Sequence, residues 1–345
     1  MNRLAIAYLI IMPIVLLIPL FMHNDIVKTI EVSSDMRAHI GVIQGTNENI
    51  SYFGQKIVKY IFSPIANSEN IKTYYLLFNF VVLIGVFYNI FFVFKSIIGL
   101  HGAYIASFSS LFLSSNILGL FKFGVIFNII NVYIIFPLAL YHLIRWFTDG
   151  KLHHGIVSLL LFCLFSVFHY SGYYILPFAV AWILIWFIRG IVTHKWDNYK
   201  KKIAVIIVAS AGFIYMISKS AWLVNFQIPS TQPIQYLFIH LSPIVIVMLF
   251  MGLIIYIRNG LNINPKSKRL ICMLGYCCSV LFLALLFMVT KDFNRVAMDL
   301  SGMLTLLTAG IAGVICLSGK RNLTVAIYSL IMIGAIPNLI IWVGR

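Results

Sequence analysis

Apolar runs close to membrane-spanning length recur along the chain at 4–22, 74–94, 102–118, 124–144, 154–169, 172–188, 203–218, 235–257, 270–290, 297–318 and 322–342. About 20 apolar residues, rising about 1.5 Å each, cross a hydrocarbon core of about 30 Å. The pattern therefore predicts an all-α polytopic bundle of about eleven spans. Strands are excluded as lone spanning elements, because lipid offers their backbone no hydrogen-bond partner. Runs of only 16–17 residues, such as 154–169 and 203–218, leave room for a re-entrant or broken helix. The first run follows Met1-Asn2-Arg3 and ends at Met22-His23-Asn24-Asp25 with no small-x-small cleavage site, so it predicts a retained signal-anchor helix. No internal repeat, soluble domain or low-complexity linker interrupts the series. Residues 1–345 are predicted to form a single membrane-embedded domain, with 23–73 as its first extracytoplasmic loop.

Composition agrees with that pattern. Of the 345 residues, 61% are hydrophobic and only 10% charged, against about a quarter charged in a soluble domain. A cytosolic globular enzyme, a disordered chain and a disulfide-stapled secreted module are all excluded. Cys163, Cys272, Cys277, Cys278 and Cys316 fall inside apolar runs without a metal-ligand spacing, and are expected to be buried packing thiols.

The formal charge of +16 would suggest a nucleic-acid partner in a soluble protein. Here it first reads as topology. With the N-terminus in the cytoplasm, 15 of the 25 basic residues lie on the inner side, and the connections Arg189–Lys202 and Arg258–Arg269 share that side. The acids lie oppositely, seven of nine outside or at the outer edge, which gives a net +13 inside and +3 outside. Attraction to anionic cytoplasmic headgroups accounts for the excess, and no nucleic-acid partner is needed. Eleven spans then put the C-terminus outside.

The outer side carries the unusual chemistry. The loop 23–73 is about fifty residues long, and long loops in compact proteins are usually functional. Ile50, Phe53, Ile57 and Ile61 recur in it at helical spacing, with Lys56 and Lys59 on other faces. That predicts an amphipathic helix, ended by Pro64, either lying on the outer leaflet or packed on the bundle top. Nearer its start is Ser33-Ser34-Asp35-Met36-Arg37-Ala38-His39. A serine cap would start a helix at Asp35 and put Asp35 and His39 on one face. A carboxylate beside an imidazole can serve as a general-base pair; a capping Asp with an interfacial His is the competing reading.

Three further outer elements matter. The turn His169-Tyr170-Ser171-Gly172-Tyr173-Tyr174 combines a histidine with three tyrosines, as a polar pocket at the membrane edge would; an interfacial aromatic belt explains the tyrosines alone and His169 less well. The segment Lys291-Asp292-Phe293-Asn294-Arg295, with Asp299 following, keeps charge beside the bilayer. Arg295 either holds a phosphate with its planar fork or pairs with Asp292 or Asp299. The connection Lys219–Gln235 contains Trp222 and Gln227, a combination suited to a sugar and also common in loops. Lys122 is expected to snorkel. Asn79, Asn89, Asn128 and Asn131 read as helix–helix glue. The chain has no phosphate-cradling G-x-x-x-x-G-K motif and no run of ionisable residues along a span that would suggest an ion relay.

The order of these features resembles the GT-C superfamily of integral-membrane glycosyltransferases. Asp35-Met36-Arg37-Ala38-His39 looks like the first-loop Asp-x-x-x-His form of prokaryotic members. His169-Tyr170-Ser171-Gly172 before a span with Pro177 is similar to their mid-chain His element, and Asn294-Arg295 to their late Arg at a helix start. The resemblance implies transfer of a hexose or pentose from a polyprenyl-phosphate donor to a lipid, glycan or protein acceptor, on the extracytoplasmic side of a prokaryotic plasma membrane. It implies Asp35 as catalytic base, and His39, His169 and Arg295 as contacts to donor phosphate or sugar. Arg37 and Tyr170, beside them in the sequence, are expected to join the donor contacts, and Trp222 and Gln227, from their loop's composition, to contact the sugar. Members that use a divalent metal place further carboxylates near the first. Only Glu31 is near here, so no metal or other cofactor is expected. Two other classes remain as alternatives. A lipid or polysaccharide transporter or flippase should show paired halves or interrupted helices, and a polysaccharide polymerase or ligase tends to carry Arg and His in a large late loop.

Overall fold

The computed structural model describes residues 3–22, 34–47, 53–113, 126–149, 151–169 and 321–344, with separate positions between 243 and 254 and between 302 and 316. The described chain is helical, with no strand among the described residues. Its elements are α1 (Arg3–Met22), α2 (Ser34–Gln44), α3 (Phe53–Phe62), α4 (Ile71–Ile97), α5 (Leu100–Phe112), α6 (Ile126–Ile130), a π-helical segment (Asn131–Ile135), α7 (Phe136–Asp149), α8 (Leu152–Phe168) and α9 (Arg321–Gly344). Four helical stretches are long and apolar enough to cross a membrane: Arg3–Phe21, Ile71–Ile97, Ile126–Trp146 and Arg321–Ile340. These cover the apolar runs predicted at 4–22, 74–94, 124–144 and 322–342. The run 154–169 is α8. The run 102–118 is described as α5 as far as Leu113. The runs 172–188, 203–218 and 270–290 lie outside the described residues, and 235–257 and 297–318 lie largely outside them.

The 27-residue α4 is the central post. Tyr75, Leu83, Val86, Phe87, Ile90 and Phe91 have no measurable exposure or nearly none, while Leu77, Val81 and Phe92 face outward. It packs against α1, α2, α5, α6, the π segment and α7. α1 meets it through Ala5, Leu9, Met12 and Leu16, a buried seam at steps of four, three and four residues. Its other face, with Leu4, Ile10, Ile14 and Phe21, is exposed apolar surface of the kind lipid solvates. Pro13 lies inside α1 and has no N–H for the Leu9 carbonyl, four residues earlier. The Tyr88 hydroxyl on α4 donates to that carbonyl at 3.0 Å, so the helix continues through the proline. The Tyr8 ring fills the corner between α1, α4 and α5, edge-on to Tyr104 at 4.9 Å, with its hydroxyl 2.9 Å from Ser107 Oγ.

Gly99 turns the chain from α4 into α5 with φ of 99°, a left-handed conformation suited to glycine. At Gly102, α5 crosses the helical stretch around Gly313 at backbone contact; a Cβ on Gly313 would lie 2.5 Å from Gly102 Cα. α9 runs along α5, with the Tyr328 hydroxyl 3.0 Å from His101 Nδ1 near the start of α5 and Asn338 Nδ2 donating to the Phe112 carbonyl at its end, at 2.6 Å.

α6, the π segment and α7 form one rod. A π turn inserts an extra residue and misaligns the ladder of backbone hydrogen bonds. Asn89 on α4 meets that need: its Nδ2 donates to the carbonyls of Tyr133 at 3.0 Å and Ile134 at 3.3 Å. α7 and α8 then form a tight antiparallel hairpin. Gly155 lies against the Trp146 ring, where a Cβ would come within 2.9 Å, and Ser158 Oγ donates to the Ala139 carbonyl at 3.0 Å. Of the two described cysteines, Cys316 is buried as expected, but Cys163 lies on the exposed apolar face of α8.

Candidate functional site

The helix expected from Asp35 is α2, which begins at Ser34. Asp35 is in its first turn, and His39 follows one turn later. α2 ends at Gly45, whose φ of 75° is left-handed, and the Asn47 N–H then donates to the Gly41 carbonyl at 3.0 Å. Met36, His39, Ile40 and Ile43 form its buried stripe, while Arg37 and Ala38 are exposed on other faces.

His39 is only 6% exposed, so it is a core residue and not an interfacial one. Its Nδ1 and the hydroxyl of the fully buried Tyr75 are hydrogen-bonded at 2.9 Å, the donor being set by the imidazole tautomer. Its ring stands edge-on to Phe127, with centroids 4.6 Å apart and planes at 87°. Burial holds the imidazole down at about 4, below its usual 6.5. At neutral pH His39 is therefore an uncharged hydrogen-bonding group, not a cation.

Phe127 links His39 to the far end of α8. Its ring lies 6.2 Å from Phe168, the last residue of that helix. His169 follows in an extended conformation and is buried. Thus α2 with His39 and the α8 terminus with His169 meet around one aromatic pair. α3 packs on α2 and on α8 beside them. Gly54 makes this possible: a Cβ there would lie 2.8 Å from Phe127 Cδ1 and 2.9 Å from the Phe168 carbonyl oxygen.

The packed face of α3 is Gly54, Gln55, Val58 and Phe62. Phe53 and Ile61, expected on its apolar side, are exposed together with Tyr60 and Lys56, and Ile57 is half-buried. So α3 is apolar on two faces, one against the bundle and one outward. Pro64 does follow its end, in a short 3-10 turn at Ser63–Ile65.

Sequence reasoning passed over Tyr75, Phe127 and Gly54. Tyr75 is 36 residues from His39 along the chain, and spacing alone cannot pair them. Gly54 did carry a signal, as a small residue within an amphipathic helix. Tyr170, Trp222, Gln227 and Arg295, also expected at the site, lie outside the described residues, as do Glu31 and Lys122. Among the described residues no three His, Cys, Asp or Glu side chains converge as a metal site. No protein-family model matches the chain, and no curated protein matches it either.

Proposed function

We propose that this chain is a membrane glycosyltransferase of GT-C type, transferring a sugar from a polyprenyl-phosphate donor on the extracytoplasmic side. The observation that supports it is the meeting of α2 and the α8 terminus: His39, one helical turn from Asp35, stands on Phe127, and Phe127 on Phe168, after which His169 is buried. In this reading the chain has about eleven spans with its N-terminus in the cytoplasm, and α2 and α3 lie at the outer face of a prokaryotic plasma membrane.

Asp35 acts as general base toward an acceptor hydroxyl. The acceptor oxygen bonds to the anomeric carbon as the bond from that carbon to the donor phosphate breaks, and the proton goes to Asp35. The departing polyprenyl phosphate keeps the electron pair, and Arg295 balances its charge. His39, uncharged at neutral pH, contributes a hydrogen bond, and His169, Arg37 and Tyr170 complete the donor contacts. Trp222 and Gln227 contact the sugar. The acceptor is a lipid, glycan or protein entering from the aqueous side, and the donor tail lies among the spans.

Membranes containing the chain, given a panel of radiolabelled polyprenyl-phosphate hexoses and pentoses, should pass label to an endogenous acceptor. Asp35→Asn should lower that transfer by about 10²–10⁴-fold with unchanged expression and unfolding midpoint. Transfer at the parent rate by the variant would overturn the mechanism.

A further inference from the structure

At the end of α8 away from His169, the α7–α8 hairpin brings together three histidines that the proposed reaction does not use. His142 on α7 and His154 on α8 approach with their Nδ1 atoms 2.9 Å apart and ring centroids 5.1 Å apart. The His153 ring lies against that of His154, centroids 4.1 Å apart and planes tilted by 41°. The Tyr141 ring stands edge-on to both members of the pair, at 5.1 Å and 6.5 Å. The contact of Trp146 with Gly155 and the bond from Ser158 to Ala139 fix the two helices on the same stretch. The two imidazoles are thus held by different helices in a rigid hairpin.

Two neutral imidazoles meeting through the same nitrogen form one hydrogen bond if their tautomers differ. If both carry the proton on Nε2, both Nδ1 nitrogens offer a lone pair across that 2.9 Å gap. A metal about 2.05 Å from each nitrogen would then see them at about 90°, given their 2.9 Å separation. That is the cis angle of a tetragonal or octahedral site, and opening the pair to about 3.3 Å would give a tetrahedral one. Imidazole nitrogen suits Cu²⁺, Ni²⁺ and Zn²⁺ and disfavours Mg²⁺ or Ca²⁺. Asp149 acts on His154 electrostatically but is bound to Arg145 at 2.9 Å. Lys151 is also close. Among the described residues the protein therefore offers two nitrogens, with solvent for the remaining positions.

We propose that His142 and His154 form a two-histidine site for a divalent transition metal, open to solvent and bridging α7 to α8. Binding there ties the hairpin at the end opposite His39 and His169, and is exchangeable, as a two-ligand site must be. His153 lies against His154 without ligating.

The test uses the full chain without a histidine tag, purified in detergent and titrated with Ni²⁺ and Cu²⁺. Thermal unfolding and the copper electron paramagnetic resonance spectrum are followed. The parent should show a rise in unfolding midpoint with metal and a two-nitrogen copper signal. Both should disappear in His142→Asn and in His154→Gln, and persist in His153→Gln. Midpoints without metal establish that each variant folds, and a variant that does not fold is replaced by His142→Phe or His154→Phe. A metal-induced rise surviving in both pair variants, or no rise in the parent, would overturn the proposal. So would a rise lost only with His153.

Discussion

His39 joins α2 to the bundle through a hydrogen bond with Tyr75 and an edge contact on Phe127. Its imidazole is held at about 4 against an ordinary 6.5. Between those values the unfolded chain binds a proton that the folded chain refuses. Stability is therefore intact above the ordinary value and falls as pH drops through the window from 6.5 toward 4. The unfolding midpoint should fall between pH 7 and pH 5, and His39→Phe should fall less over the same interval; an equal fall in both would exclude His39 as the source. Asp35 was legible from its serine-led helix start, and so was its four-residue distance from His39. Burial of His39 was not, because it depends on Tyr75 and Phe127, which approach from other helices. The sequence shows that His39 and Asp35 share an element, while only packing shows that the imidazole has lost its charge at neutral pH.

Among the elements, α3 and the π segment departed most from expectation. An amphipathic pattern gives a helix but not its partner, and α3 has apolar residues on both sides. What decides the packed side is the lack of a side chain at Gly54. Gly54→Ala should push α3 off Phe127 and the Phe168 carbonyl, costing about 1–3 kcal/mol of stability, with sugar transfer reduced further than that loss explains. Unchanged transfer would separate α3 from the site. The π turn left no mark in the apolar run 124–144, since Asn131–Ile135 looks like any other helical stretch. Asn89 is helix–helix glue as its position in an apolar run suggests, and it acts by holding two displaced carbonyls of the rod. Asn89→Leu should destabilise the chain by about 1–2 kcal/mol, measured by denaturant unfolding in micelles, and a cost below a few tenths would mean that other groups satisfy Tyr133 and Ile134.

For the whole molecule, the apolar runs carried the most information. α1, α4 and α9 each follow a predicted run to within a few residues, and so does the rod from Ile126 to Trp146. Orientation rests on basic residues alone. Single cysteines introduced at Lys28 and Lys266 in a cysteine-free background should label from opposite sides of the membrane, Lys28 from outside. Labelling of both from one side would reverse the topology. The rod containing the π turn has a consequence that reaches across the bilayer. A π turn is one residue more than the α-helix needs, so the stretch before it is rotated by about 100° relative to the stretch after it. Phe127 precedes the turn and Trp146 follows it, and both make close contacts, with His39 and Gly155 respectively. A straight helix could satisfy one of these contacts only by abandoning the other. Deleting Val132 should restore an uninterrupted helix with no loss of span, yet swing Phe127 out from between His39 and Phe168. The extra residue is what phases one end of the rod against the other.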